Sequence, residues 1–381
     1  MSIFLYTAAE LFNWLTAKKE LLVLDVRNSK DFSRFQIESP YPFEMKNISY
    51  FDFMEIEEEC VAQLPRDKQI LIVCAKEGSA KFVAELLDKN GFSDIGYLQG
   101  GIKSWGNLLV PMLLNPGESY NLYQFVRPGK ASCGYGLGYK GELTLFDPTR
   151  ATDFYLDFAK EHGYTITRCC ETHLQADYIA GSRLLAENTG CDVLANGGDF
   201  TGAQFAWTPV SDNQLLTVAE GSPEVRVMFT PGHTPGSTCF MIDNRFLITG
   251  DTVFIKSIGR PDLGGKVDEW SDYLFKTLQT VQALDHNLLI LPGHYMDWQE
   301  ANENLTLTAS LGQCISHNKS IYDLDNATDF LNFIKANMRE QPPEYAEIRK
   351  VNANLLEVDA ERAEVLDLGK NECAAEQMAA T

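Results

Sequence analysis

The second half of this chain contains four predicted β-strands, each of which leads to a histidine or an aspartate. This pattern limits the folds that the region can adopt. The segments TITRCCETH, EVRVMFTPGH, RFLITGD and LLILPGH end at His173, His233, Asp251 and His294. Runs rich in Val, Ile and Leu that stop at polar or glycine-rich loops are typical of buried strands. Imidazole and carboxylate groups gathered at one edge of such strands are the ligands that transition metals prefer. The pattern therefore predicts a sandwich of sheets with a metal site at one edge.

The loop after the first of these strands, THLQADYIAG, carries only some of the side chains that bind metals well. His173 and Asp177 are good ligands, whereas Gln175 and Tyr178 stand where further imidazoles would complete a metal-binding loop. An amide or a phenol is a poor ligand for iron or zinc, although both form hydrogen bonds. The loop alone leaves open whether the site has lost its metal or holds a different one.

The N-terminal region shows a different pattern. Two apolar runs, LLVLDVR (21–27) and QILIVC (69–74), predict buried parallel strands. The segment SAKFVAELLDKNG that follows predicts a helix with one apolar face, and Gly91 is well placed to end it. Alternation of strand, short loop and helix indicates an α/β domain.

Changes in pattern along the chain predict where its parts begin and end. Residues 1–108 form the α/β region, and two prolines with a Pro-Gly turn mark residues 109–121 as a linker. Residues 122–355 hold the strands that lead to histidine and aspartate. Residues 356–381 are rich in Ala and Glu and are expected to form an acidic C-terminal tail or helix.

Charge and cysteine content exclude several classes of function. A formal net charge of −21 argues against binding to nucleic acid or to anionic membranes. Nine cysteines without a Cys-x-x-Cys spacing do not suggest a secreted disulfide framework. The N-terminus lacks the features of a signal peptide, and no apolar run reaches membrane-spanning length. We therefore expect a cytoplasmic protein with no nucleic-acid or membrane partner.

Cys74 lies at the end of the second buried strand, before the helix predicted to begin near Ser79. A thiol in this position faces unpaired backbone N–H groups and the positive end of the helix dipole, which stabilise a thiolate. Lys76 and Lys81 add positive charge nearby. This environment suits a cysteine that carries sulfur as a persulfide anion, although a cysteine at a strand end is more often a buried structural residue.

The segments LDVR, VCAKEGSAKFVAELL and GYLQGGIKSWG resemble those of a rhodanese domain, over roughly the first 108 residues. The resemblance implies a parallel sheet with flanking helices and makes Cys74 the sulfur-accepting nucleophile. It also implies an active loop made of Ala75, Lys76, Glu77, Gly78 and Ser79. Rhodanese loops commonly end in a basic residue, and the serine found here favours persulfide donors or acceptors over thiosulfate.

Four later motifs resemble those of the metallo-β-lactamase superfamily, over roughly residues 122–355: THLQADYIAG, TPGHTPGST, ITGDTVFIKSIGRPDL and LPGHYMDW. Within the superfamily, they are most similar to the branch of glyoxalase II and persulfide dioxygenase. The resemblance implies an αββα sandwich with the metal between loops at one edge of the sheets. Members of this branch often form dimers, so a homodimer is a candidate assembly.

The same resemblance implies a ligand set. Persulfide dioxygenases hold one iron at positions that correspond to His173, His233 and Asp251. Two imidazoles and one carboxylate on one face leave positions open for substrate and O₂ at Fe(II), so we expect one Fe(II) per chain. A hydrolase of this fold uses two metals held by five histidines and two aspartates. Because Gln175 and Tyr178 replace two of those histidines, a hydrolase is disfavoured.

The remaining polar residues of the loop and of the last motif are expected to act around the metal. Asp177 and His294 are expected to orient ligands or water by hydrogen bonding rather than to bind the iron. Gln175 and Tyr178 are expected to form hydrogen bonds near the open face. None of the four belongs to the implied iron ligands.

Two basic residues are candidates for substrate binding. Arg260 lies in IGRPDL, at a position that the family uses to bind the carboxylate of its thiol substrate. A guanidinium recognises a carboxylate through two parallel hydrogen bonds. The alternative for Arg260 is a structural ion pair. Lys256 is the second candidate.

Together the two resemblances predict oxidation of a thiol persulfide by O₂ to sulfite, coupled to sulfur transfer through Cys74. Tethering two sites in one chain raises the effective concentration of one near the other. Sulfite or thiosulfate are the expected products. The thiol carrier, whether glutathione, coenzyme A or another thiol, and the direction of sulfur transfer are left open.

Two alternatives remain. The first is a thioesterase similar to hydroxyacylglutathione hydrolase, which requires two metals and consumes no O₂. The second is a metal-free β-lactamase-like scaffold that serves only the rhodanese domain or a binding partner, for which Gln175, Tyr178 and Met296 are the main support.

Overall fold

The computed structural model describes residues 3–375, which form two compact units. The first unit contains residues 3–110 with two short segments, 127–130 and 368–370. The second unit contains the other described residues. None of the helices in the described part of the chain is long and apolar enough to span a membrane.

The first unit is built on a parallel sheet of five strands in the order β1-β5-β4-β2-β3. Its strands are β1 Phe4–Tyr6, β2 Leu21–Asp25, β3 Glu44–Asn47, β4 Gln69–Val73 and β5 Ile95–Leu98. Its helices are α1 Ala8–Thr16, α2 Ser29–Arg34, α3 Tyr50–Glu55, α4 Glu57–Ala62, α5 Gly78–Lys89 and α6 Ile102–Asn107. The predicted α/β fold is confirmed, and the two predicted strands are the central pair β2 and β4.

Burial explains the composition of these strands. Every residue of β2 and β4 is buried, so neither strand shows the alternation of a half-exposed strand. Leu22 and Ile72 pack with Val83 and Leu87 of α5 in one hydrophobic core. Gly91 has a φ of +82°, a conformation that favours glycine, and it lies just after the end of α5 as predicted.

The second unit contains two sheets. The seven-stranded sheet has the order β12-β11-β10-β9-β8-β7-β6, and the six-stranded sheet has the order β13-β14-β15-β16-β17-β18. The seven strands of the first sheet are β6 Val110–Leu113, β7 Asn121–Arg127, β8 Ser132–Tyr139, β9 Glu142–Phe146, β10 Thr165–Cys170, β11 Asp192–Ala195 and β12 Thr208–Pro209. The six strands of the other sheet are β13 Leu215–Leu216, β14 Val225–Phe229, β15 Thr238–Ile242, β16 Phe246–Gly250, β17 Leu289–Pro292 and β18 Ala309–Ser310.

Helices pack against both sheets. They are α7 Thr152–Glu161, α8 Ser182–Thr189, α9 Gly197–Phe200, α10 Val267–Gln282, α11 Leu311–His317, α12 Lys319–Tyr322, α13 Ala327–Asn337, α14 Glu344–Asn352 and α15 Ala360–Asp367. Helices α7 and α8 contact β10, and α10 to α13 share a core with the six-stranded sheet. Phe146 of one sheet and Phe240 of the other have ring centroids 5.2 Å apart. The predicted sandwich of two sheets flanked by helices is confirmed.

Two segments have more structure than the sequence predicts. Residues 110–113, placed in the linker, form the edge strand β6, where the missing N–H of Pro111 is tolerated. The segment 356–381, predicted as an acidic tail or helix, contains α15 and then a buried stretch in which Ala374 pairs with Gly259. Residues 376–381 lie outside the described part of the chain.

Candidate metal centre and sulfur-transfer loop

The strand ends bring the predicted metal ligands of the second unit together. Asp251 directly follows β16, and His294 comes just after β17, which is parallel to β16. The carboxyl ends of parallel neighbours meet at one edge of a sheet, so these two side chains lie close. His173 follows β10 of the other sheet, and His233 follows β14.

His173, His233 and Asp251 form a first group of donors. Their ligand atoms all lie within 4.8 Å of one another. The Nε2 atom of His233 is 3.5 Å from Oδ2 of Asp251, and the Nε2 atom of His173 is 3.8 Å from the same oxygen. All three side chains are buried. The structure therefore assembles the ligand set that the sequence predicts.

Backbone carbonyls orient two of the histidines. Nδ1 of His233 lies 2.9 Å from the carbonyl oxygen of Arg260, and Nδ1 of His294 lies 3.2 Å from that of Ala131. A carbonyl only accepts hydrogen bonds, so each Nδ1 carries the proton and donates. The lone pair of a neutral ring is then on Nε2, the atom that faces Asp251.

A side-chain relay orients the third histidine. The Thr172 hydroxyl donates to the Asp147 carboxylate at 2.8 Å, and Nδ1 of His173 lies 2.9 Å from the same hydroxyl oxygen. Because the hydroxyl proton is used on Asp147, the oxygen accepts from Nδ1 of His173. The lone pair of His173 is thus also on Nε2.

The donor atoms are suited to a cation. The Nε2 atoms of His173, His233 and His294 are buried and have no hydrogen-bond partner among the described residues. Burial lowers the pKa of His173 well below its ordinary value and lowers the pKa of His233 to about 4, so both rings are neutral at pH 7. Buried polar atoms without partners are rare unless an ion satisfies them. Two neutral imidazoles and a carboxylate fit a divalent transition metal.

The carboxylates of Asp177 and Asp251 determine the charge around His294. Burial raises the pKa of Asp251 to about 7. Burial also lowers the pKa of His294, but the Asp177 and Asp251 carboxylates outweigh it and raise that pKa to about 9. The Nε2 atom of His294 lies 3.3 Å from Oδ2 of Asp177 and 3.5 Å from Oδ2 of Asp251. The two carboxylates therefore stabilise a positive charge beside them, such as that of a protonated His294 ring.

Asp177, His294 and Cys373 form a second group, again with all ligand atoms within 4.8 Å of one another. Asp177 and His294 thus lie beside the first group, next to its shared carboxylate Asp251. Cys373 was not singled out by sequence reasoning. It belongs to no motif, and only the pairing of its segment with residues 258–260 brings it to the site.

Gln175 and Tyr178 are buried, and both interact with Asp147. The Tyr178 hydroxyl donates to the backbone carbonyl of Asp147 at 3.5 Å, and the Gln175 side chain lies close enough to help lower the pKa of the Asp147 carboxyl, which burial raises to about 6. The Tyr178 ring also stands edge-on to His294, with centroids 6.3 Å apart. Both residues support the loop that carries the ligands.

Arg260 has a structural ion pair where sequence reasoning expected a substrate carboxylate. Its Nε and Nη2 atoms each donate to the Asp262 carboxylate at 2.7 Å. Nη2 also donates to the carbonyl of Arg339, and Nη1 donates to that of Glu372 at 3.4 Å. The side chain is buried, so binding a substrate carboxylate requires it to give up these partners.

Lys256 is half-buried and lines a cavity of about 780 Å³ in the second unit. Glu300, Gln313 and His317 line the same cavity. None of the residues of the two donor groups contributes to its wall. The structure therefore does not bring Lys256 together with the metal ligands.

The predicted sulfur-transfer loop of the first unit is built from consecutive residues. Cys74 follows β4 and is buried, with 7 % of its surface exposed. Ala75, Lys76 and Gly78 are exposed, and Glu77 and Ser79 are half-buried. The helix α5 begins at Gly78, close to the predicted start.

The turn before α6 is hydrogen-bonded to this loop. The backbone N–H of Ile102 donates to the carbonyl of Cys74 at 2.8 Å, and the N–H of Gly100 donates to the Glu77 carboxylate at 2.7 Å. A Cβ atom at Gly101 would lie 2.5 Å from the Cys74 carbonyl oxygen. Gly101, which has a φ of +63° and no Cβ atom, therefore allows the turn to pack closely against the backbone of Cys74.

Comparison with known protein families identifies both units. The model of the rhodanese-like domain matches residues 7–108, and that of the metallo-beta-lactamase superfamily matches residues 135–294. A metallo-beta-lactamase of Staphylococcus aureus has a similar structure, with a TM-score of 0.56 and 27 % identity over 62 % of this chain and 73 % of that chain.

Two curated relatives carry different activities in their names. A hydroxyacylglutathione hydrolase of Anaeromyxobacter dehalogenans is 34 % identical over 44 % of this chain and 63 % of its own length. The mitochondrial persulfide dioxygenase ETHE1 of Bos taurus is 30 % identical over 47 % of this chain and 69 % of its own length. The chain thus spans less than two thirds of the hydrolase and slightly more than two thirds of the dioxygenase.

Proposed function

The chain belongs to the metallo-beta-lactamase superfamily, in the branch that includes persulfide dioxygenase and hydroxyacylglutathione hydrolase, and we propose that it oxidises thiol persulfides. The proposed reaction converts RSSH, O₂ and water to RSH, sulfite and two protons. The terminal sulfur is oxidised, O₂ is reduced, and the S–S bond breaks. The rhodanese-like unit would add sulfur transfer through Cys74.

The first donor group carries this proposal. Two imidazoles and one carboxylate are the ligands of the non-haem Fe(II) enzymes that use O₂. His173, His233 and Asp251 supply this set, and one Fe(II) per chain held there would provide the reactivity towards O₂ that no amino-acid side chain offers. The metal-free scaffold is disfavoured, because three buried imidazole nitrogens would then be without a partner.

The surrounding residues hold the ligands in place. The carbonyl of Arg260 keeps His233 in the tautomer that binds a metal, and Thr172 does the same for His173. The ion pair between Arg260 and Asp262 fixes the backbone that supplies this carbonyl. Arg260 therefore positions a ligand, and its expected role at the substrate carboxylate is a separate proposal that requires a change of partner.

Cys74 is proposed to exchange sulfur with a persulfide. Its thiolate would attack the sulfane sulfur of RS–SH, form a new S–S bond and release RS⁻ as the leaving thiolate. No electrons are gained or lost in this step. The exposed residues Ala75, Lys76 and Gly78 give a donor access to the loop.

The test is anaerobic loading of the full chain with Fe(II), followed by metal analysis and an oxygen-electrode trace with glutathione persulfide. We expect iron bound at one per chain, O₂ uptake that depends on the persulfide, and sulfite as product. His173→Ala should lose both the iron and the uptake. An iron-loaded chain that consumes no O₂ with any low-molecular-weight persulfide would contradict the proposal.

A hydrolase is the second candidate, and the second donor group favours it. Asp177, His294 and Cys373 lie next to the first group and would allow two metals to share Asp251. Two metals can activate a bridging hydroxide for attack on a thioester. Hydrolysis of a glutathione thioester without O₂, by a chain with two metals, would establish this function.

A further inference from the structure

A short stretch near the end of the described chain, residues 371–375, is fixed against the segment that follows Asp251. Ala374 pairs with Gly259, the N–H of Arg260 donates to the carbonyl of Cys373 at 2.9 Å, and the N–H of Ala375 donates to the carbonyl of Ile258 at 2.9 Å. These hydrogen bonds fix the register of Cys373 against residues 258–260. We call residues 371–375 the C-terminal strand segment.

The same segment is tied to the histidine of the second donor group. The side-chain amide of Asn371 donates to the carbonyl of Ala131 at 3.1 Å. Nδ1 of His294 donates to this same carbonyl at 3.2 Å. One backbone oxygen therefore fixes both the histidine and the segment that carries Cys373.

The Cys373 thiol is buried between these anchors, with 1 % of its surface exposed. Its sulfur and the donor atoms of Asp177 and His294 all lie within 4.8 Å of one another. Sγ also lies 3.8 Å from the Tyr345 hydroxyl oxygen, which accepts a second hydrogen bond from the N–H of Glu372 at 2.8 Å. The Tyr345 hydroxyl is thus placed to donate to a thiolate at this position.

The arrangement of donor atoms differs from that of an ordinary buried ion pair. The Nε2 atom of His294 lies 3.3 Å from Oδ2 of Asp177 and 3.5 Å from Oδ2 of Asp251, yet it has no hydrogen-bond partner within residues 3–375. One ring nitrogen thus lies between two carboxylates, and the Cys373 sulfur lies within 4.8 Å of the donor atoms of Asp177 and His294. Sulfur, imidazole nitrogen and carboxylate oxygen are donors that zinc and similar ions accept.

We propose that Cys373 is a metal ligand, which completes a second metal position with Asp177, His294 and the shared Asp251. The occupant is a thiophilic divalent cation such as Zn²⁺, adjacent to the ion of the first group. Tyr178 stands where the family resemblance places a histidine, and its hydroxyl is turned to the Asp147 carbonyl. Cys373 supplies the missing donor from a distant part of the chain. Binding converts the thiol to a metal thiolate and releases one proton to solvent.

This inference concerns the composition of the metal centre and does not depend on the proposed reaction. An ion at the second position is compatible with iron at the first. Oxygen uptake therefore tests the proposed function, whereas the number and type of bound ions tests the role of Cys373.

The experiment is a titration of the metal-free full chain with Co²⁺, followed by absorption spectroscopy and metal analysis. It is carried out in a Cys74→Ser background, so that the thiol of the rhodanese-like unit does not contribute. We expect two ions per chain and a sulfur-to-cobalt charge-transfer band. Cys373→Ala and Cys373→Ser should each bind one ion and lose the band.

Cys314→Ala is the matched control, because Cys314 is equally buried but packs in the core of α11 and the six-stranded sheet. It should keep both ions and the band. Circular dichroism of each variant establishes that the fold is retained. A single ion without the band in the Cys74→Ser chain, or a band that persists in folded Cys373→Ala, would overturn the proposal.

Discussion

The proposed sulfur-transfer loop and the candidate metal centre position their side chains in opposite ways. The loop consists of consecutive residues from Cys74 to Ser79, and most of them are exposed or half-buried. The metal centre takes its donors from separate segments between His173 and Cys373, and all of them are buried. Local chain geometry builds the first site, and long-range packing builds the second.

This difference implies different sensitivities to mutation. An exposed loop tolerates changes except at the reacting atom and at the few points where the backbone is held. A buried centre depends on the second layer of hydrogen bonds as well as on the ligands themselves.

Cys74→Ser is expected to abolish transfer of sulfane sulfur from glutathione persulfide to an acceptor thiol, because a serine hydroxyl forms no persulfide. The metal content of the chain should not change. Cys60→Ser, in the same unit but outside the loop, serves as the control and should keep the transfer activity. Loss of bound metal in Cys74→Ser would show that the two sites are not independent.

His233→Ala should remove one of the three donors of the first group and lower affinity for the first metal by more than about 100-fold, beyond the usual cost of losing a supporting hydrogen bond. Metal analysis after dialysis against a weak chelator measures this. Sulfur transfer through Cys74 should remain at its original rate. A His233→Ala chain that keeps a full complement of metal would remove this histidine from the ligand set.

Thr172→Val should weaken metal binding by about 10- to 100-fold, because His173 loses the acceptor that fixes its tautomer. Competition with a chromophoric chelator gives the affinity. Thr144→Val is the matched control, since Thr144 is also buried and its hydroxyl has no hydrogen-bond partner in the described part of the chain. Equal effects of the two substitutions would mean that the relay through Thr172 does not matter.

Substitution of one glycine at each site should show how much more tightly the backbone is packed at the metal centre than at the loop. A Cβ atom at Gly259 would lie 1.7 Å from the carbonyl oxygen of Asp251, whereas one at Gly78 would have nothing within 4 Å. Gly259→Ala should therefore lower the free energy of unfolding by about 2–3 kcal/mol. Gly78→Ala should leave it unchanged or raise it by up to about 1 kcal/mol. Urea unfolding monitored separately for each unit checks both values.

The sequence predicted the parts of both sites that local pattern determines. The runs 21–27 and 69–74 are uniformly apolar because both faces of β2 and β4 are covered, so the signal of a parallel sheet was clear. His173, His233 and Asp251 each come just after a strand, which made them visible as a set. The rhodanese-like and metallo-beta-lactamase identities are confirmed.

Long-range packing determined what the sequence did not predict. Nothing around Cys373 indicates a ligand, because its position depends on the pairing of Ala374 with Gly259. Arg260 was expected to face a substrate, but Asp262, two residues later, lies close enough to take its guanidinium. The strand β6 was missed because two prolines, Pro111 within it and Pro116 shortly after it, are typical of linkers, whereas an edge position tolerates Pro111.

Because the donors are spread along the chain, an ion bound to them would also act as a crosslink. The turn around Gly264 and Gly265 is exposed, and it separates Asp251 in sequence from His294 and Cys373. A protease that cuts this turn leaves two fragments with ligands on each. Chelation should then loosen their association, much as reduction of a disulfide releases two peptides.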